Sequence, residues 1–144
     1  MLYFYPEDFG ALGNGVNNDC QAIQSAIDKA EENGGGTVVL TSGKTYYSDS
    51  IRMKKNVELH LQKGSRLKAT DNIDGYIRPC NMINDPKTAL IGNPVTGKPS
   101  FVFIYGYEAD GCTISGEGTI DANGHAFVER KDKYYVTGNF YPRP

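Results

Sequence analysis

A chain of 144 residues falls within the size range of a single domain and is long enough to bury a core. Charged residues make up 22% of it and the formal net charge is -2, which argues against an electrostatic nucleic-acid binder and gives no general attraction to an acidic polysaccharide. The three cysteines, Cys20, Cys80 and Cys112, are an odd set without metal-ligand spacing, and no apolar run is long enough to span a membrane.

Met1 is followed by Leu2, Tyr3 and Phe4 and then by Pro6 and two acids, which lacks the basic segment and long apolar core of a secretory signal. If Met1 is the true start, a cytoplasmic location is expected. Leu2 to Tyr5 reads as a first short strand. Asn18 is a plausible N-cap for the helix that follows, because Gln21 stands where a capping box would place it. Cys20, Ile23, Ala26, Ile27 and Ala30 fall on one stripe at helical spacing, so one side packs and the other faces water. Gly34 suits the left-handed stop of that helix, and Gly35 and Gly36 discourage its continuation. Thr37 to Leu40 then starts a buried strand.

After the Ser42 and Gly43 turn, Lys44 to Tyr47 is a run that favours β structure. Val57, Leu59 and Leu61 alternate with Glu58 and His60, the period-two signature of a strand with one buried face, so His60 points outward. Arg66 to Ala69 repeats the alternation more weakly. From Asp71 to Pro99 the pattern dissolves into Asn, Asp, Pro and Gly, which reads as a long excursion. Phe101 to Tyr105 forms a buried strand, and two further strands, Cys112 to Ile114 and Thr119 to Ile120, surround bends at Gly116 and Gly118. Short strands that recur between turns, with one convincing helix, suggest the coils of a solenoid. A terminal coil leaves an open edge, and the amphipathic helix is suited to cover one.

The ordered motifs DFGA, a GNG turn, AIQ, AID and GGGTVVL between Asp8 and Leu40 resemble the N-terminal cap of pectin-degrading β-helix enzymes. Thr45 to Ile51 (TYYSDSI), Asn56 to Leu61 (NVELHL), Gly64 to Leu67 (GSRL) and Thr113 to Asp121 (TISGEGTID) continue the resemblance, which narrows to glycoside hydrolase family 28, the polygalacturonases and their relatives. It implies an all-β solenoid: a right-handed parallel β-helix with an N-terminal capping α-helix. It also implies that residues 1–144 are the cap and first coils of a single, longer catalytic domain. The activity implied is inverting hydrolysis of α-1,4-galacturonosyl linkages in polygalacturonate or its oligomers, without a cofactor. The implied partner is a pectin-type polysaccharide or oligogalacturonide, with neither nucleic acid nor membrane. A non-catalytic, tailspike-like carbohydrate-binding β-helix and a pectate-lyase-type eliminase are the alternatives on the same scaffold.

An inverting site needs an acid and a base on two carboxyl groups. The family's Asn-Thr-Asp, Asp-Asp, Gly-His-Gly and Arg-Ile-Lys patterns do not occur in this sequence. No catalytic residue and no metal ligand is therefore assigned, and the substrate-binding residues are left open. Gly124, His125 and Ala126 mimic the histidine motif only superficially, and Asp121 is expected to serve its turn. His60 and His125 lack the neighbours of a metal site, and Ile73 spoils a calcium-loop reading of Asp71 to Gly75. The basic clusters Lys54 with Lys55, and Arg130 with Lys131 and Lys133, read first as solvated surface. These residues alone are expected to be inactive and prone to associate.

Overall fold

The computed structural model describes residues 1–76, 101–131, 134–137 and 142–143. Its strands in chain order are β1 (Tyr3–Phe4), β2 (Asn14–Asn18), β3 (Gly36–Leu40), β4 (Thr45–Ser48), β5 (Ile51–Met53), β6 (Val57–Leu61), β7 (Arg66–Ala69), β8 (Phe101–Val102), β9 (Ile104–Gly106), β10 (Thr113–Gly116), β11 (Thr119–Asp121), β12 (Val128–Lys131), β13 (Tyr134–Thr137) and β14 (Pro142–Arg143). The α-helix α1 (Cys20–Glu32) lies between β2 and β3.

Three sheets run parallel. The first orders β1-β3-β6-β10 and the second β2-β4-β7-β11, while β5 pairs with β9. Each turn of chain therefore adds one strand to each sheet in succession, and the molecule is a parallel β-helix. Strand β14 pairs parallel with β8, and β12 with β13 forms an antiparallel hairpin.

The register stacks like on like. Phe4, Val38, Leu59 and Ile114 form one inward ladder across the first sheet, and Tyr46, Leu67 and Ile120 another across the second. Val38, Leu59, Tyr46 and Leu67 are fully buried, whereas Ile114 is 45% exposed and Ile120 37%. Glu58 and His60, which point the other way as period-two alternation requires, are half-buried.

Helix α1 closes the interior at the other end. It packs on β1, β3, β5 and β6, and Ala22, Ile23, Ala26, Ile27 and Ala30 join the core. Its stop is a Schellman arrangement: Gly35 N–H donates to Ala30 C=O and Gly34 N–H to Glu31 C=O, with Gly34 at φ +83°. Its start corrects the expected cap. Asp19, not Asn18, is the N-cap residue, and neither closes a capping box. Asn18 Oδ1 instead accepts the Cys20 N–H, and Gln21 is exposed. The Asp19 carboxylate is drawn backwards, accepting the Leu12 and Gly13 N–H groups of the preceding loop. Asp19 is itself 3% exposed, and a buried carboxylate needs the donors that these two loop N–H groups supply.

Three smaller departures have similar causes. Strand β2 occupies the glycine-rich turn and polar cluster, because Asn14 and Asn18 find partners on β4. The run from Phe101 to Tyr105 is not one strand but two, broken at the buried Phe103, with β8 and β9 pairing to different strands. Cys20 is half-buried, not fully buried, and its thiol donates to Ser50 C=O. The excursion from Asp71 to Pro99 is described only as far as Tyr76; its remainder lies outside the described residues.

Candidate functional site

The outer face of the first sheet gathers polar side chains from strands far apart in sequence. Register places Tyr3, Thr37, Glu58 and Thr113 in one row across it. Val39, His60 and Ser115 form the next row. Tyr5 follows β1 in an extended conformation (φ -112°, ψ 126°). Tyr3 and Tyr5 are exposed, whereas Val39 is 4% exposed although it faces outward.

Hydrogen bonds join the middle of the two rows. Thr37 Oγ1 donates to Glu58 Oε2 at 2.9 Å, Ser115 Oγ donates to Glu58 Oε1, and His60 Nδ1 lies 2.7 Å from Ser115 Oγ. His60 Nδ1 is 3.9 Å from Glu58 Oε1. Hydrogen bonds from Ser115 and then Thr37 hold the Glu58 carboxyl below its ordinary value, against a smaller opposing effect of burial. An ionised Glu58 can only accept. Ser115 therefore gives it the hydroxyl proton, and the Ser115 oxygen receives the Nδ1–H of His60. This polarity differs from that of a nucleophilic triad, in which histidine takes the serine proton. Ser115 is an orienting group here, and the far nitrogen of His60, Nε2, faces out with no partner among the described residues.

The other polar clusters are structural. Glu7 Oε1 accepts the Tyr46 hydroxyl at 2.6 Å and the Lys44 ammonium at 2.7 Å, and Tyr46 in turn accepts the Thr41 N–H. Burial, together with the Glu7 hydrogen bond, pushes the Tyr46 hydroxyl up to about 12. Asp49 accepts from Asn18 Nδ2 at 2.7 Å and from Thr70 Oγ1, which ties β2, β4 and β7 together at one corner. A pocket of about 320 Å³ beside the start of α1 is lined by Phe9, Gly10, Asn18, Asp19 and Gln21, but the Asp19 carboxylate is already committed to Leu12 and Gly13.

The residues singled out in the sequence do not meet. His60 points outward as expected and sits in the network, whereas His125 lies exposed in a 3-10 turn. Asp121 serves its turn by accepting the Asn123 N–H, and its other oxygen lies 3.7 Å from Arg66. Lys54 is paired with Glu31 and Asp28, and Lys55 is exposed. The side chains of Arg130, Lys131 and Lys133 lie outside the described residues. No group of three His, Cys, Asp or Glu side chains among the described residues could hold a metal ion. The roles of Glu58 and Ser115 were not legible in sequence, because parallel stacking joins them across 57 positions.

A solenoid of parallel coils closed by one helix and faced with polar rows defines a β-helix protein of the pectin-lyase-like type. The chain belongs to the family described as rhamnogalacturonase A/epimerase, pectate lyase-like, whose profile matches residues 7–123. Depolymerase 1, capsule KN3-specific, of Klebsiella phage KN3-1 is 31% identical over 96% of this chain and 19% of its own length. The plasmin and fibronectin-binding protein A of Streptococcus pneumoniae is 30% identical over 82% of this chain and 15% of its own. The family 28 exopolygalacturonase of Yersinia enterocolitica superposes with a TM-score of 0.66 at 25% identity, over 91% of this chain and 22% of that structure. The chain thus spans a fifth or less of the curated relatives quoted.

Proposed function

We propose that the protein to which these residues belong acts on polysaccharide by cleaving glycosidic bonds. The leading activity is inverting, family 28-type hydrolysis of α-1,4-galacturonosyl linkages, with residues 1–144 supplying the cap and first coils. The observation that carries this reading is the family match over residues 7–123, joined to the exopolygalacturonase likeness over 91% of the chain. Inverting hydrolysis needs two carboxyl groups about 6.5–9.5 Å apart, one protonating the leaving oxygen and one activating water. Glu58 is the one carboxylate in the two outer rows described above, so the reading assigns that pair to coils outside residues 1–144.

The second reading is a capsule-directed, tailspike-like protein, favoured by the 31% identity to the phage depolymerase over nearly the whole chain. One experiment separates the readings. The full-length protein is incubated with polygalacturonate and with acidic capsular polysaccharide, and the new chain ends are analysed. Saturated reducing ends from polygalacturonate support the hydrolase. Unsaturated, ultraviolet-absorbing ends mean elimination, and turnover of capsule alone supports the second reading. Binding without new ends from either polymer means a non-catalytic adhesin. Residues 1–144 by themselves are expected to release no reducing sugar.

A further inference from the structure

We propose that the outer face of the first sheet is a binding site for a neutral pyranose residue, which His60 Nε2 holds by accepting one of its hydroxyl hydrogen bonds. The proposal rests on the polysaccharide reading above and adds which kind of sugar this face takes.

The donor arrangement fixes the role of His60. Glu58 accepts from both Thr37 and Ser115, and Ser115, having given its proton to Glu58, accepts from His60 Nδ1. In the neutral ring the proton is then on Nδ1 and the lone pair on Nε2. Each member of the chain is held by the next, so the acceptor is oriented before a ligand arrives and little ordering entropy remains to be lost on binding. The His60 side chain is 38% exposed, which leaves that edge within reach of a ligand.

The surroundings suit a sugar. Tyr3 and Tyr5 present exposed rings beside the outer rows. Exposed aromatic rings accept the C–H face of a pyranose, while a few placed polar groups fix its orientation. The row from Tyr3 to Thr113 crosses three strand spacings, about 14 Å, which is room for a short run of sugar rings.

Charge selects the class. A uronate carboxylate brought to this point meets the Nε2 lone pair and the negative charge of Glu58, and none of the other residues in the two rows carries a positive charge while His60 is neutral. A neutral pyranose has a hydroxyl proton to give and no charge to be repelled. A polymer recognised at this face carries an uncharged sugar in its backbone or side chains. Unbranched polygalacturonate does not supply one, so the inference rests on the broader polysaccharide reading and not on that substrate.

The test uses the full-length protein labelled with ¹⁵N at histidine, with the His60 signals assigned by comparison with His60→Ala. In the free protein, the neutral ring is expected to carry its proton on Nδ1 and none on Nε2; the reverse tautomer overturns the proposal. The probes are neutral trisaccharides of gluco, galacto and manno configuration, together with trigalacturonate. At least one neutral probe is expected to shift His60 Nε2. Trigalacturonate is expected to bind about fivefold more weakly or worse, and His60→Ala to weaken the neutral probe about tenfold. Ser115→Ala, which keeps the ring but removes its anchor, is expected to raise the Nε2–H tautomer and weaken binding severalfold. Stronger binding of trigalacturonate, no response to any neutral probe at millimolar concentration, or unchanged binding by a folded His60→Ala protein sinks the assignment. Hydrolysis of polygalacturonate is scored separately, so either idea can fail while the other stands.

Discussion

The two ends of the described stack use the same kind of residue with opposite results. Beneath α1, Val38 and Leu59 are fully buried, and Ile23 and Ile27 of the helix press on the same interior. Ile114 occupies the next rung of that ladder and Ile120 the next rung of its neighbour, yet they are 45% and 37% exposed. Their side chains are as apolar and their strands as parallel. What differs is cover within residues 1–144: Val38 and Leu59 have a described strand on either side, whereas β10 and β11 are the last described strands of their sheets, and the hydrophobic stabilisation follows the area removed from water, not the residue type.

The largest expected effect measures that difference directly. Leu59→Ala and Ile27→Ala should each lower unfolding free energy by about 2–5 kcal/mol, because each leaves a hole among packed neighbours. In residues 1–144 by themselves, Ile114→Ala should lower it by less than about 1 kcal/mol. Urea denaturation of the three variants checks the contrast, and equal losses at Leu59 and Ile114 would erase it.

Glycines sharpen the same comparison. Gly116 has φ +102°, and a Cβ there would sit 2.0 Å from Leu61 O, against the backbone of the preceding coil. Gly34, at φ +83°, has nothing within 4 Å. Gly116→Ala should cost more than about 2 kcal/mol, whereas Gly34→Ala should cost only the left-handed strain of about 1 kcal/mol. Equal midpoints in thermal melts of the two variants would show that Gly116 can draw back from Leu61 freely.

Polar groups under the cap give the next effect. Removing the Tyr46 hydroxyl leaves Glu7 and the Thr41 N–H each short of a partner, so Tyr46→Phe should lose about 1–3 kcal/mol. The alkaline limb follows from the same hydroxyl. Tyr46 and Tyr76 are pushed up from 10 to about 12, in both cases chiefly by burial. Their contribution is whole below pH 10 and drains away as pH rises towards 12, since the unfolded chain ionises first. Tyr46→Phe should flatten that limb in a denaturation series across pH, and an unchanged slope counts against it.

The acid limb should be the smallest. Partial burial opposes ionisation of Glu7, but hydrogen bonds from Lys44 and Tyr46 outweigh it, and the carboxyl lies below its ordinary value of 4.5. Glu58 is lowered by Ser115 and Thr37. Both contributions are complete above pH 4.5 and fall away as the pH drops through the folded-state values. Glu58→Gln should therefore reduce acid sensitivity while changing stability at pH 7 by less than about 1 kcal/mol, as expected for an acid this exposed.

The sequence alone determined the local units. The stripe from Ile23 to Ala30, the stop at Gly34 and the alternation of Val57, Leu59 and Leu61 each follow from residues a few positions apart, and the structure has all three. The order of the family motifs carried the β-helix as well. Only the tertiary structure decided which strands lie side by side. Period two says that Glu58 and His60 face outward, but their meeting with Ser115 depends on coil-to-coil hydrogen bonds that set register across the excursion between β7 and β8. The same distinction explains Asp19 and Asn18. Either could cap a helix by local rules, and Asp19 accepts instead from Leu12 and Gly13 because the preceding loop folds back on it and its buried carboxylate needs donors.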